Sequence, residues 1–210
     1  MSTPSPTTAN TPGTRERLIH AMQDALRHKG YHGVGLQELL TTANAPKGVL
    51  YHHFPGGKAE LAVASIESVV GQITTGLDKL LSRNADVVQA LDAWMASAQK
   101  ALANSGYERG CPLATIALES APDDTAIRQA LADGFAAIRE RLGHTLQHAG
   151  IEAMRARNLS ALIVSAYEGA LVQARVAGNV DAMRNTSDAL MDLVRMSLPP
   201  TAEHPTGARP

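Results

Sequence analysis

Residues 36–54 carry the pattern that most limits what this chain can fold into. Apolar side chains recur at helical spacing at the start of the segment, at Leu36, Leu39, Leu40 and Ala43. This spacing predicts a short helix with one buried face and one exposed face. Asn44 follows directly, and asparagine enters the left-handed backbone region more readily than most residues other than glycine. The segment therefore predicts a short helix that ends in a sharp turn at Asn44.

A second short helix is predicted to begin at about Ala45. Pro46 suits a first helical position, because its missing N–H would have no partner within the helix and its φ is already near the helical value. The apolar positions of this helix are Val49, Leu50 and Phe54, of which Leu50 and Phe54 are predicted to be core residues that fix the helix angle.

The remaining side chains of this helix are available to face outward, and they are Lys47, Gly48, Tyr51, His52 and His53. Periodicity alone is equally compatible with a helical hairpin that only packs against the core. A buried helix would not normally carry such a set of polar and cationic residues. We therefore interpret residues 36–54 as a helix-turn-helix that contacts DNA.

A longer motif around the second helix resembles a known family. Residues 46–54 read Pro-Lys-Gly-Val-Leu-Tyr-His-His-Phe, and residues 58–61 read Lys-Ala-Glu-Leu. This motif resembles the DNA-binding signature of the TetR family of bacterial repressors, and the resemblance covers residues of about 14–62. Residues 110–114, Gly-Cys-Pro-Leu-Ala, with 117–119, Ala-Leu-Glu, are further similar to regulators of multidrug and lincomycin resistance that respond to flavonoids and drugs.

The resemblance implies that the second helix of the pair enters the major groove of DNA as a recognition helix. Lys47 would then contact a phosphate or a base, and Gly48 would allow a close approach of the backbone. Tyr51 and His52 would contact phosphates or base edges. The complete set of implied DNA contacts is Gln37, Thr41, Thr42, Pro46, Lys47, Gly48, Tyr51, His52, His53 and Lys58.

Two positions depart from the usual pattern of the family. Gly35 lies where many members carry a threonine or serine hydroxyl, and Gln37 with Thr41 or Thr42 is the expected replacement. Lys58 lies at the start of the next predicted helix, where its ammonium and the free N–H groups favour a phosphate. The loop at residues 55–57, Pro-Gly-Gly, is one residue longer than the usual spacing, and it leaves the reach of Lys58 open.

Composition and charge agree with an intracellular DNA-binding protein. The chain has 210 residues, 44% of them hydrophobic, which is enough to bury a core without disulfides. Its one cysteine, the absence of a long apolar span and the absence of a signal peptide at its start predict a cytoplasmic protein. Residues 1–60 contain six Lys/Arg and four Asp/Glu, against thirteen and sixteen in the remainder, so the positive charge accompanies the motif.

The rest of the chain predicts an all-α fold of about nine helices, with no convincing strand. Residues 1–13 are expected to be a disordered arm, 14–57 a three-helix DNA-binding domain, 58–198 a larger effector-binding and dimerisation domain, and 199–210 a disordered tail. The helices outside the motif are predicted near residues 14–29, 58–81, 86–104, 112–120, 124–148, 153–177 and 180–197.

Aromatic and apolar residues of the C-terminal part are candidates to line an effector cavity between helices. The set comprises Trp94, Met95, Ala98, Tyr107, Cys111, Ile116, Phe135, Tyr167 and Leu171. Each of them is also compatible with ordinary core, and the family resemblance is what favours the cavity. No cofactor and no metal are predicted, since His144 and His148 lack a third ligand at a convincing spacing.

The two last helices, near 153–177 and 180–197, are predicted to form the interface of a homodimer. Apolar residues of the former spread over more than one face, so apolar surface remains after it packs on its own domain. In the family, these two helices form a four-helix interface with a second subunit.

Together these observations predict a ligand-responsive transcriptional regulator, most simply a repressor, that leaves a palindromic operator when a small apolar or aromatic effector binds. The alternative is a helical small-molecule carrier or enzyme that uses the C-terminal cavity, and a further one is a protein-interaction adaptor. No zinc-protease motif, nucleophile elbow or phosphate loop is present in the sequence. The chain is therefore predicted not to be an enzyme.

Overall fold

The computed structural model describes residues 13–84 and 86–200, and within these ranges the chain forms helices and turns without any strand. The helices are α1 (Thr14–His28), α2 (Leu36–Thr42), α3 (Lys47–His53), α4 (Gly57–Leu81), α5 (Val87–Asn104), α6 (Pro112–Glu119), α7 (Thr125–His148), α8 (Ala153–Ala177) and α9 (Asp181–Ser197). The prediction of an all-α fold is confirmed. The predicted arm and tail lie, apart from Gly13, Pro199 and Pro200, outside the described residues.

Helix α1 begins at Thr14, as predicted. Gly13 occupies the N-cap position, and its N–H donates to the Glu16 carboxylate at 3.1 Å. Because this side chain satisfies the free backbone donor, the helix includes Thr14. At its other end α1 is followed by Gly30 with a φ of +73°, as expected for a glycine that ends a helix.

The turn between α2 and α3 is sharp and depends on Asn44, whose φ is +47°. The predicted left-handed conformation of Asn44 is therefore confirmed. The prediction that α3 begins at about Ala45 is wrong, because Pro46 is the N-cap, with φ −66° and ψ 150°, and the helix begins at Lys47. A residue before proline is sterically disfavoured in the helical region, which excludes Ala45 from the helix. Its N–H instead donates to the Leu40 carbonyl at 3.0 Å.

Helix α1 packs against α2, α3 and α6, and this packing fixes the helix pair. Leu50 and Phe54 have exposed fractions of 0% and 1%, which confirms both as core residues. Arg17 reinforces the packing, because its Nε donates to the Ala43 carbonyl at 3.0 Å where α2 ends. The orientation of α3 is thus set by apolar burial on one side and by the turn at Asn44 on the other.

The chain divides into two compact units, and the division does not follow chain order. The N-terminal unit ends at Val69 and also includes Pro112–Ala132, so it contains α6 and the first turns of α7. The C-terminal unit contains Val70–Cys111 and resumes at Asp133. Helices α4 and α7 each run through a division point. A functional boundary between residues 57 and 58 stays a prediction.

Within the C-terminal unit, α9 packs against both α5 and α8. Helix α8 is capped by Glu152, whose carboxylate accepts the N–H groups of Met154 and Arg155, and these bonds lower the pKa of Glu152. Gly178, with a φ of +66°, ends the helix. Within residues 13–84 and 86–200, no helix is long and apolar enough to cross a membrane.

Substitution of Asn44 tests the turn that positions α3. The variant Asn44→Gly should keep the free energy of unfolding within about 0.5 kcal/mol, because glycine adopts positive φ without steric cost. The variant Asn44→Val should lower it by about 1–2 kcal/mol, because a β-branched side chain is strained there. Urea denaturation measures both values, and equal stability of the two variants would contradict this role of the turn.

Candidate nucleic-acid interface

Most of the polar residues of α3 are exposed at its surface. Lys47, Gly48, Tyr51 and His52 are exposed, whereas His53 is half-buried. A Cβ atom added at Gly48 would meet no heavy atom within 4 Å. The glycine at this position is therefore not required by packing inside the chain, and the open space is available for a close approach from outside.

The Tyr51 ring has a fixed position beside the start of α4. A Cβ added at Gly57 would lie 3.3 Å from the Tyr51 ring, and Gly57 has a φ of +67° that favours glycine. Tyr51 nevertheless keeps 43% of its surface exposed. Its ring therefore packs along one edge against backbone while the remainder is available for contact.

Helix α2 contributes polar side chains from the same part of the chain, since Gln37, Thr41 and Thr42 are all exposed. The Thr41 hydroxyl donates to the Gln37 carbonyl at 2.9 Å within the helix. Its proton is thus engaged, and a phosphate contact from Thr41 would require the hydroxyl to rotate. Gln37 and Thr42 are the better candidates to replace the hydroxyl that Gly35 lacks.

Lys58 lies at the start of α4, as predicted, but its ammonium is engaged within the N-terminal unit. Its Nζ donates to the Tyr31 carbonyl at 2.6 Å and lies 4.4 Å from the centre of the Tyr31 ring. Burial lowers the pKa of Lys58, and the Glu119 carboxylate partly opposes this shift. A phosphate contact by Lys58 stays a prediction, and it would use an N–H donor of the ammonium other than the one given to the Tyr31 carbonyl.

The loop that Lys58 contacts is held by α6 and the segment after it. The Glu119 carboxylate accepts the His32 N–H at 3.2 Å, and His32 Nε2 lies 3.5 Å from an Asp124 oxygen. Gly30 leaves the space for this arrangement, since a Cβ there would lie 1.8 Å from a Glu119 oxygen. Glu119 therefore helps to fix the loop between α1 and α2.

Arg15 is a further candidate for a DNA contact that the sequence analysis missed. Its guanidinium lies 5.3 Å from the centre of the Phe54 ring, and the residue is exposed. An exposed cation at the end of the recognition helix is suited to a phosphate. In the sequence, Arg15 is a basic residue beside the apolar positions of α1, and this alone does not predict a DNA contact. The packing of α1 on α3 is what brings Arg15 close to Phe54.

Most of the predicted effector residues that lie in the C-terminal unit come together there. Leu171 belongs to a buried cluster with Leu102, Ala170, Ala174 and Met183, and Ala98, Tyr107, Cys111 and Tyr167 pack against it. Trp94 joins this group because its ring stacks on the Tyr167 ring, with a centroid distance of 5.3 Å and an interplanar angle of 30°. Trp94 and Tyr167 thus form an aromatic pair beside a cysteine.

Three predicted effector residues are not in this cluster. Met95 is buried on α5, and Phe135 is half-buried on α7. Ile116 is buried on α6, which belongs to the N-terminal unit. No local pattern predicts that α6, which lies between α5 and α7 in chain order, belongs to the same compact unit as α1.

Glu168 is a polar residue of the same region that the sequence analysis did not single out. Burial raises the pKa of Glu168, and a hydrogen bond with the Cys111 side chain partly opposes this. Its Oε2 atom is buried and has no hydrogen-bond partner in the part of the chain that the structure describes. Burial also raises the pKa of the neighbouring Tyr167 hydroxyl, and the charges of Cys111 and Glu168 contribute.

Helix α3 is exposed, follows a tight turn after α2 and carries Lys47 and Gly48 on its exposed face. This is the arrangement of a helix-turn-helix DNA-binding protein. Two family models match the chain: the tetR family of bacterial regulatory proteins over residues 18–64, and the LmrA/YxaF-like transcriptional regulator C-terminal domain over residues 87–189. Together these ranges cover more than half of the sequence. The chain belongs to the TetR family of transcriptional regulators.

Relatives are similar over nearly their full length. The HTH-type transcriptional regulator LmrA of Bacillus subtilis is 24% identical, over 87% of this chain and 97% of LmrA. The HTH-type transcriptional repressor NemR of Escherichia coli K12 is 26% identical, over 82% of this chain and 89% of NemR. The crystal structure of regulatory protein TetR from Rhodobacter sphaeroides superposes with a TM-score of 0.76 and 26% identity, over 86% of this chain and 98% of that one.

These comparisons confirm the family resemblance, including the LmrA-like subgroup, and the role of the chain as a DNA-binding transcriptional regulator. The relatives are transcriptional regulators, and the prediction that the chain is not an enzyme is confirmed on that basis. Members of the family bind DNA operators and ligands and form dimers. The individual DNA-contacting and effector-contacting residues stay predictions.

Proposed function

We propose that the chain is a cytoplasmic repressor that binds a near-palindromic operator as a homodimer and is released by a small apolar or aromatic effector. The observation that carries the proposal is the exposed face of α3, which contains Lys47, Gly48 and Tyr51. Among the described residues, none fills the space that a side chain at Gly48 would occupy. Two such helices, related by two-fold symmetry, would enter successive major grooves. Their half-sites would be separated by one helical turn of DNA, roughly 34 Å, or by a multiple of it.

The proposed DNA contacts are of two kinds: contacts with phosphates position the protein, and contacts with base edges recognise the sequence. Lys47 at the first turn of α3 and Arg15 beside Phe54 supply the cations that bind phosphates, and Gln37 and Thr42 on α2 add neutral donors. Gly48 brings the backbone of α3 close to the DNA. Tyr51 and His52 then reach base edges or phosphates from a helix whose angle is fixed by the buried Leu50. His53 is half-buried and has the smaller share of contact.

The second subunit is proposed to cover an uncharged face of α8. This face comprises Met154, Asn158, Ala161, Leu162, Ser165, Gly169, Val172 and Val176, which share one side of the helix. Val172 is 51% exposed and Val176 is 85% exposed, which is costly for a helix side without a partner. A Cβ added at Gly169 would meet nothing within 4 Å, so another helix can approach closely there.

Helix α9 has a matching uncharged face. Ala182, Thr186, Ala189, Leu193 and Met196 follow one another at alternating spacings of four and three residues, as in helices that pack side by side. Met196 is 81% exposed. Since α8 packs on α9, their uncharged faces together offer the two helices that each subunit contributes to a four-helix interface.

Release from DNA is proposed to follow from effector binding near the aromatic pair Trp94 and Tyr167. An effector shifts the equilibrium only if it binds one conformation better than the other. Helix α4 is a continuous helix from Gly57 to Leu81, so its displacement in the C-terminal unit would move residues that precede Val69. The recognition helices of the dimer would then lose the spacing that the operator requires.

Removal of the cationic and phenolic groups of α3 tests DNA recognition. The double variant Lys47→Ala/Tyr51→Phe keeps the ring that packs beside Gly57, so the fold should be retained. Affinity for DNA selected from a random-sequence pool should fall about tenfold or more, and the slope of log affinity against log salt should decrease by about 1. Fluorescence anisotropy between about 50 and 200 mM salt measures both. The exposed Lys100→Ala on α5 is the control, and a double variant that behaves like it would refute the assignment.

Substitution of Gly48 separates a DNA contact from a structural role. Alanine fits without a clash and is the better helix former, so Gly48→Ala should leave the free energy of unfolding unchanged or raise it by up to about 0.5 kcal/mol. Operator affinity should nevertheless fall about tenfold, or ~1.4 kcal/mol, because the methyl group would separate the backbone from DNA. Gly71→Ala, at an equally open position of α4, should retain the affinity. Full affinity of the Gly48 variant would argue against close backbone approach.

A charge on the uncharged face of α8 tests the dimer interface. In Val172→Glu the carboxylate would be buried without a partner, at a cost of about 3 kcal/mol or more, so dimerisation should weaken at least about a hundredfold. Leu118→Glu is the matched control, because Leu118 is 85% exposed and belongs to α6, which is not one of the two helices of the proposed interface. Light scattering coupled to size-exclusion chromatography reports the mass of each. A dimeric Val172 variant would exclude this face.

A further inference from the structure

Glu168 on α8 has a carboxylate oxygen whose hydrogen-bonding capacity is unused among the described residues. Its Oε2 atom is buried and has no hydrogen-bond partner within residues 13–84 and 86–200. Buried carboxylate oxygens are normally paired, because an ionised carboxylate that loses water without a partner is strongly destabilised. An unpaired oxygen of this kind calls for a donor that this part of the chain does not supply.

The groups around Glu168 favour a positively charged ligand group over a neutral or negatively charged one. The Cys111 side chain forms a hydrogen bond with Glu168, and Tyr167 precedes it on α8. The Tyr167 ring stacks on Trp94, and the faces of such rings carry negative potential. A carboxylate and two aromatic rings thus share one region, and each of them attracts positive charge.

We propose that the effector carries a protonated amine next to an aromatic ring, and that Glu168 accepts the N–H of this amine while Trp94 and Tyr167 contact the ring. This inference rests on the effector-responsive regulation proposed above and adds the charge of the ligand. The ammonium neutralises the buried carboxylate and fills its unused hydrogen-bonding capacity at once. An aromatic carboxylate is excluded by repulsion, and a neutral alcohol gains only the hydrogen bond.

A set of three ligands that share one ring system tests the proposal. The probes are 2-naphthylmethylamine, 2-naphthalenemethanol and 2-naphthoate, which carry an ammonium, a hydroxyl and a carboxylate at neutral pH. Thermal-shift titration and calorimetry with the full chain, without DNA, should give the order amine, alcohol, carboxylate. We expect the amine to bind at least about tenfold tighter than the alcohol, a difference of ~1.4 kcal/mol. Equal binding of amine and alcohol, tightest binding of the carboxylate, or no binding of any probe at millimolar concentration would overturn the proposal.

Glu168→Gln identifies the residue that carries the preference, because it keeps the shape of the side chain and removes its charge. The preference for the amine over the alcohol should disappear in this variant. It should persist in Glu140→Gln, which removes an exposed carboxylate on α7. An unchanged preference in the Glu168 variant would overturn the assignment.

Stability without ligand provides a second measurement. Burial raises the pKa of Glu168 above its unfolded value, so the penalty on the stability of the unliganded protein is complete above the raised pKa. It decreases as pH falls below the raised pKa, and it is absent only below the pKa of the unfolded chain. Glu168→Gln should therefore raise the melting temperature at pH 8 by roughly 2–4 °C, and the gain should shrink towards pH 5. A lower melting temperature, or dissociation of the dimer, would show that Glu168 has a protein partner and would overturn the proposal.

The outcome separates this inference from the regulatory function on which it rests. Binding to selected DNA is measured on the same protein without ligand. Loss of the amine preference with intact DNA binding overturns the inference alone. A chain that prefers the amine but binds no specific DNA contradicts the proposed repressor function instead.

Discussion

The arrangement of the DNA-binding surface depends on burial of one side of a seven-residue helix. Leu50 and Phe54 are almost fully buried, and Asn44 adopts the left-handed conformation that lets α3 return across α1. A helix this short has little stability of its own, so tertiary packing must hold it. Because the two core side chains fix its rotation, Lys47, Gly48 and Tyr51 are exposed together and form a single surface.

Two hydrogen bonds hold the loop between α1 and α2. Lys58 donates to the Tyr31 carbonyl, and Glu119 accepts from the His32 N–H. These bonds connect the start of α4, the loop and the end of α6 within one compact unit. The compact unit that contains α1, α2 and α3 is therefore larger than these three helices. It also contains α6, whose first residue comes 59 residues after the end of α3.

Much of this arrangement was predictable from local sequence. Glycine, asparagine and proline mark most of the helix ends, because each has a specific backbone requirement, and the spacing of Leu36, Leu39 and Leu40 marks the buried face of α2. The start of α3 was misplaced by two residues, because the effect of Pro46 on Ala45 outweighs its suitability for a first turn. The partners of Lys58, Arg15 and Glu168 were not predictable, since each belongs to a segment distant in sequence and no periodic pattern encodes the pairing.

Cys111 lies at the point where the chain passes from one compact unit to the other. It belongs to the C-terminal unit, and its side chain forms a hydrogen bond with Glu168. The next residue, Pro112, is the first residue of α6 and belongs to the N-terminal unit. A single peptide bond joins the two residues, and the ring of Pro112 fixes the φ angle of this proline. A displacement of the Cys111 backbone would therefore reach the first residue of α6 through this one peptide bond, and α6 ends at Glu119, which holds the loop between α1 and α2.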